Sequence, residues 1–277
     1  MKEVMLALEG PPGAGKTTLL GALVPALGDT ALFFSEPNIT LGGETTPVHA
    51  STAQETLWYL RQEKARAQAL RDAALADTNV VVCDRNHLGV LAYTWAARQR
   101  DAFPYKKALA YFRRHIAPLY DGSKLRTVIL LVSVDASLER RGGRPAHRWL
   151  RQWYDPGLLG RMAEFYTEHS RALCPNPPLV IDTDPLDPAA VLSVVAGELR
   201  AAGALLPAHI PTAPGQPDVD ARFADFYAES GGRDLFGRTV TDAFAYRGGL
   251  MQMFQLAALT QVDGHTSLWN PYHALRQ

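Results

Sequence analysis

Eight residues near the start of the chain, Gly10-Pro11-Pro12-Gly13-Ala14-Gly15-Lys16-Thr17, restrict its fold more than any other feature. They satisfy the pattern G-x-x-x-x-G-K-[ST] at every fixed position. The string follows the apolar run 4–8 and opens a helical segment over 16–27. A strand, a glycine-rich turn and a helix start in that order aim backbone N–H groups at phosphate oxygens, and the helix N-terminus adds positive potential. Lys16 is placed to reach the β- and γ-phosphates, and the Thr17 hydroxyl to ligate magnesium, with Thr18 next in the same turn. The expected ligand of residues 10–18 is ATP with Mg2+.

Beyond this string the chain alternates. Continuous apolar runs at 4–8, 31–34, 80–83, 127–134 and 179–181 read as strands buried on both faces of a parallel sheet. Between them, 16–27, 54–76, 88–98, 106–120, 148–169 and 188–202 read as helices. The expectation is an α/β fold with helices on both faces, over residues 1–203. Pro207, Pro211, Pro214 and Pro217 then crowd a short stretch, so 204–217 reads as an extended linker. Residues 218–277 read as a helical C-terminal extension, with helices at 219–228 and 250–259. The second rests on Leu250, Met253, Phe254 and Ala257 at helical spacing. This tail looks too poor in apolar residues for a sizeable core of its own, so it is expected to dock on the main domain or pair with another subunit, as in a homodimer.

Lys plus Arg and Asp plus Glu both number 28, so the chain lacks the cationic field of a protein that coats nucleic acid. No apolar run reaches membrane-spanning length, and two cysteines form no disulfide framework. A cytoplasmic setting is expected. The scattered histidines show no metal-binding spacing.

Four further stretches resemble the thymidylate kinase and deoxynucleoside kinase branch of the P-loop kinases. They are Leu8-Glu9-Gly10, Ser35-Glu36-Pro37, Cys83-Asp84-Arg85, and Val132-Ser133-Val134-Asp135 running into Leu138-Glu139-Arg140-Arg141-Gly142-Gly143-Arg144. The resemblance implies a five-stranded parallel sheet in the order 2-3-1-4-5. It also implies an acceptor-side carboxylate at Glu36, a paired Asp84 and Arg85, and an arginine-rich lid. Phosphoryl transfer requires positioning, charge neutralisation and, for a hydroxyl acceptor, a base. Glu36 and Asp84 both follow strands, at the edge where open α/β sheets bind ligands. Either suits the base, and Asp84 also suits magnesium. Arg85 suits bidentate phosphate contact. Arg140, Arg141 and Arg144 lie in a glycine-broken segment able to close over phosphates, with Arg141 assigned to ATP and the other two to the transferring group.

The acceptor is a small molecule. Nucleotide-phosphorylating relatives usually carry an arginine directly before the Glu-Pro pair, where this chain has Ser35. That favours an unphosphorylated hydroxyl acceptor with Glu36 as general base. Asp84-Arg85 and Ala92-Tyr93 look more like thymidylate kinase, and Arg66 matches a base- or phosphate-reading position. Trp58 and Tyr59 are candidates to wall the acceptor pocket. The sequence therefore reads as an ATP-dependent kinase of a nucleoside-like hydroxyl. The alternatives are a nucleoside monophosphate kinase, a kinase of an antibiotic- or sugar-type metabolite, and a nucleotide-sensing binding module.

Overall fold

The computed structural model describes residues 4–37, 52–72, 78–97, 105–120, 124–143, 148–212 and 215–275. Strands β1 (Val4–Glu9), β2 (Ala31–Phe34), β3 (Val80–Asp84), β4 (Leu125–Leu131) and β5 (Leu179–Asp182) form one parallel sheet in the order β2-β3-β1-β4-β5. This is the order the resemblance implied. In register, Leu6 of β1 lies between Val82 of β3 and Arg126 of β4.

Alternate residues of each strand enter opposite layers. Leu6, Leu8, Val82 and Leu130 pack under α1 (Lys16–Leu27) and α7 (Pro188–Ala201). Ala7, Leu32, Val81 and Ile129 pack under α2 (Thr52–Asp72), α3 (His87–Ala96), α4 (Tyr105–His115) and α6 (Pro156–Glu168). With both faces covered, the inner strands carry apolar residues throughout, which is why they show as continuous runs.

Caps set several boundaries differently from the sequence reading. The expected strand 127–134 stops at Leu131, because Ser133 caps α5 (Val134–Arg140) by accepting from the Ala136 N–H. The expected helix 148–169 is a 3-10 turn to Tyr154 followed by α6, whose start is imposed by the Asp155 cap and Pro156. The expected helix 106–120 ends at His115 and is followed by a 3-10 turn containing Pro118.

The largest correction concerns the C-terminal part. It is not simply helical. After α8 (Ala221–Glu229) and α9 (Gly232–Phe236) come β6 (Phe244–Tyr246), β7 (Gly249–Met253), β8 (Ala258–Val262), β9 (His265–Leu268) and the short α10 (Pro271–Ala274). The four strands form an antiparallel sheet in sequential order. The helix expected at 250–259 is instead β7, a turn and the start of β8. Two hairpin turns decide the matter. Arg247 and Gly248, with φ of 47° and 77°, join the paired Tyr246 and Gly249, and Asp263 and Gly264, at 49° and 80°, join Val262 and His265. Two successive left-handed residues are the preferred two-residue hairpin connection, and Asp-Gly is its commonest signature.

Both faces of β7 are covered, so no in–out alternation shows in its sequence. Leu250, Phe254 and Leu259 join Phe223 and Phe236 in a small separate core. Met251, Met253 and Ala258 join the α1–α7 layer. The segment after Gly203 is irregular, as its prolines require, yet Ile210 is buried rather than lying loosely on the surface.

This second sheet also protects the exposed edge of the first. The Tyr246 hydroxyl donates to the Ala31 carbonyl and accepts from the Phe33 N–H, both at 3.0 Å. Trp269 Nε1 donates to the Phe33 carbonyl at 2.7 Å. Side chains thus occupy edge groups that would otherwise template a foreign strand. Among the described residues, no helix is long and apolar enough to cross a membrane.

Candidate active site

The turn between β1 and α1 adopts its shape because particular positions exclude side chains. Gly10 has φ of 133°, and a Cβ there would overlap the Leu130 carbonyl of the neighbouring strand. The loop therefore lies close over the C-terminal edge of the sheet, where β1 ends at the centre of the strand order. Lys16 follows in the first turn of α1 and is buried. Its ammonium folds back to donate to the Gly10 and Pro11 carbonyls at 2.8 and 2.9 Å.

A cavity of about 560 Å³ opens beside this loop. The loop residues Pro12 to Thr18 line it together with Glu36, Asp84, Arg85, Arg140 and Arg141. Strands β2 and β3 deliver Glu36 and Asp84 at their C-terminal ends, as expected from their sequence positions. Burial and the neighbouring Glu36 raise the Asp84 carboxyl toward neutrality, against the attraction of Arg85 and Lys16. Burial, reinforced by Arg85, lowers the Lys16 ammonium below the usual lysine range. These are charges gathered in excess of what a closed, dry site would tolerate, as expected of a place that binds a charged ligand.

Arg85 is the centre of the cluster. Its guanidinium lies 2.7 Å from Glu36, 3.8 Å from Glu9 and 3.1 Å from the Gly10 carbonyl. Its backbone is left-handed, with φ of 64°, a conformation that a non-glycine residue adopts at a cost. Bonds on both sides hold it there: its N–H donates to the Leu8 carbonyl at 3.0 Å, and its own carbonyl accepts from Arg66 at 2.8 Å.

Glu9 is the residue whose role the sequence reading missed. It is fully buried and accepts from the Asn86 and Gly89 N–H groups at 2.7 and 3.0 Å, and from the Tyr166 hydroxyl at 2.8 Å. It anchors the start of α3 and backs Arg85. A carboxylate ending an apolar strand directly before Gly10 was the available signal.

The lid arginines are placed unequally. Arg140 donates to the Thr183 hydroxyl and carbonyl at 3.0 and 2.8 Å and reaches the Gly13 carbonyl at 3.4 Å. Arg141 donates to Ser137 and Trp153 carbonyls and stacks over Tyr154 at 4.2 Å. Arg144 lies outside the described residues. Trp58, Tyr59 and Arg66 are not among the residues lining this cavity. Trp58 is buried edge-on to Tyr59 at 4.9 Å, and the buried Arg66 pairs with Glu63.

A magnesium ion fits the donors present. Thr17 and Asp84 offer oxygen ligands at the same mouth, while no cluster of three or more His, Cys, Asp or Glu among the described residues could hold a metal alone. Magnesium usually takes one or two protein oxygens and completes its shell from phosphates and water.

The family described as AAA domain matches residues 5–155. A search of curated proteins finds no match. Among solved structures, deoxyadenosine kinase from M. mycoides with bound dATP is similar at 19% identity and TM-score 0.50, covering 72% of this chain and 100% of that one. The same enzyme with products dCMP and a flexible dCDP bound gives 17% and 0.52, with the same coverage. Thymidylate kinase from Candida albicans gives 13% and 0.54, covering 76% of this chain and 98% of that one. At these identities the likeness concerns the fold.

Proposed function

We propose, for a chain that belongs to the AAA domain family, the role of an ATP-dependent phosphotransferase acting on a small hydroxyl-bearing acceptor, a nucleoside or nucleoside-like metabolite. One observation carries this reading: a base candidate, an arginine and the phosphate loop line a single cavity at one edge of the sheet. The likeness to a deoxyadenosine kinase and a thymidylate kinase favours that substrate class over unrelated hydroxyl compounds.

The residues divide the work by position. Backbone N–H groups of residues 13–17 and the Lys16 ammonium cradle the β- and γ-phosphates, Lys16 exchanging its two carbonyl partners for phosphate oxygens. Thr17 and Asp84 would hold magnesium, which supplies charge neutralisation at the phosphates. Arg140, beside the Gly13 carbonyl, stands at the phosphate rim where an arginine can stabilise charge in transfer. Glu36, half exposed at 49%, faces solvent where an acceptor enters. Its carboxylate accepts the acceptor hydroxyl proton as the oxygen bonds to the γ-phosphorus and the bond to the β-phosphate oxygen breaks. Arg85 orients Glu36 through their 2.7 Å pair.

The test is acceptor-dependent ADP formation by the purified protein with ATP and magnesium, across nucleosides, nucleotides and related hydroxyl metabolites. Turnover with an unphosphorylated nucleoside is expected. Turnover confined to nucleoside monophosphates would replace the hydroxyl acceptor with a phosphate, and none at all would remove the reading.

A further inference from the structure

The C-terminal part lies outside the family match, and nothing so far gives it a role beyond covering the edge of β2. It nevertheless reaches the cavity. Arg238, Gln255 and Leu256 line it opposite the phosphate loop. A second cavity of about 360 Å³ adjoins, lined by Thr17, Thr18, Gln216, Arg238, Thr239 and Val240 among others. Arg238 therefore borders both spaces, facing the turn of α1 that carries Thr17 and Thr18. Its guanidinium is exposed and has no hydrogen-bond or ion-pair partner among the described residues.

Leu256 lines the first cavity as well. It is apolar yet 36% exposed, at the tip of the β7–β8 turn. It shares the cavity with Leu186, Pro188, Val191 and Leu192 at the start of α7. The C-terminal part thus brings a cation, beside Thr17 and Thr18, and an apolar side chain to the cavity that the phosphate loop lines.

The two positions are held together. The Gln255 N–H donates to the Arg238 carbonyl at 2.9 Å, and the Leu256 N–H to the Phe236 carbonyl at 3.0 Å. Between them Gly237 has φ of 75°, and a Cβ there would meet Gln255 Cβ at 2.8 Å. A turn locked this closely presents its side chains without further ordering of the backbone on binding.

We propose that the C-terminal part completes the donor site, Arg238 contacting the triphosphate of ATP and Leu256 packing on its base. The inference rests on reading the cavity as the donor site, and the experiment separates the two. Full-length protein is titrated calorimetrically with ATP and with inorganic tripolyphosphate, each with magnesium. Arg238→Gln is expected to weaken both about tenfold, with Arg238→Lys recovering most of the loss. Leu256→Ser is expected to weaken ATP about threefold and leave tripolyphosphate unchanged. Lys16→Ala serves as the reference for the loop itself. If Lys16→Ala loses binding while Arg238→Gln stays within twofold of wild type for both ligands, the proposal is overturned and the donor-site reading stands. If wild-type protein binds neither ligand, the donor-site reading fails and takes this proposal with it.

Discussion

Arg85 shows how much of this site depends on single side chains. It is held left-handed between the Leu8 carbonyl and the Arg66 guanidinium, and it ties Glu36 to the phosphate loop. Glu36 is the member that can be altered with least effect on the fold, because it is half exposed and lies beyond the strand end. Glu36→Gln keeps the size and loses the base. Turnover is expected to fall roughly 100-fold or more, with ATP affinity within about twofold. A rate equal to wild type would move the base to Asp84.

His87 makes a different prediction. In the structure it is fully buried, stacked on Phe112 at 4.2 Å, with Nε2 against the Leu173 carbonyl at 3.0 Å, and the cap is Asn86. Burial lowers its pKa to about 4, although Glu63 and the Leu173 carbonyl pull the other way. Between pH 6.5 and 4 the unfolded chain takes up a proton that the folded chain refuses, so stability falls as pH drops through that window. The loss reaches about 3 kcal/mol below pH 4. His87→Gln retains a donor for Leu173 and does not titrate. Its melting temperature should be lower at pH 7 but flatter between pH 7 and 4, and a wild-type slope in the variant would refute the assignment.

Among the elements, the parallel strands and the first helix were legible because their signals are local. Continuous apolar runs marked β1 to β3 to within a residue of their ends, and the glycine-lysine-threonine string located the turn before α1. The errors occurred where two signals coincided. Leu250, Met253 and Phe254 satisfy a helical spacing and are also residues of a strand buried on both faces and of the turn after it. The Asp263-Gly264 pair was the sequence's own evidence for a hairpin. Strand β6 then carries a measurable consequence for β2. Tyr246→Phe leaves the Phe33 N–H without its partner in a buried setting, and the Ala31 carbonyl with Arg247 Nε alone. A loss of about 2 kcal/mol is expected in thermal or urea unfolding. An unchanged midpoint would show that the edge contact is dispensable.

For the molecule as a whole, the sheet with its phosphate loop and the C-terminal part share one apolar layer, since Tyr246, Met251, Met253 and Ala258 pack in the same cluster as α1 and α7. A chain ending at residue 203 would uncover that layer and the β2 edge together. Unlike the full chain, it is expected to aggregate or elute as large species on size exclusion. A soluble, equally stable truncation would mean that the two parts are independent.

By itself the sequence determined the parallel α/β architecture, the phosphate loop, and the placing of Glu36 and Asp84 at strand ends. Each of these follows from neighbours along the chain, through apolar period, glycine conformation and strand polarity. Only the tertiary structure decided that Glu9 backs Arg85, that Tyr246 and Trp269 seal β2, and that Arg238 and Leu256 border the cavity. Those arrangements join residues up to 236 positions apart, and contacts across such separations depend on how the layers pack, which no local pattern encodes.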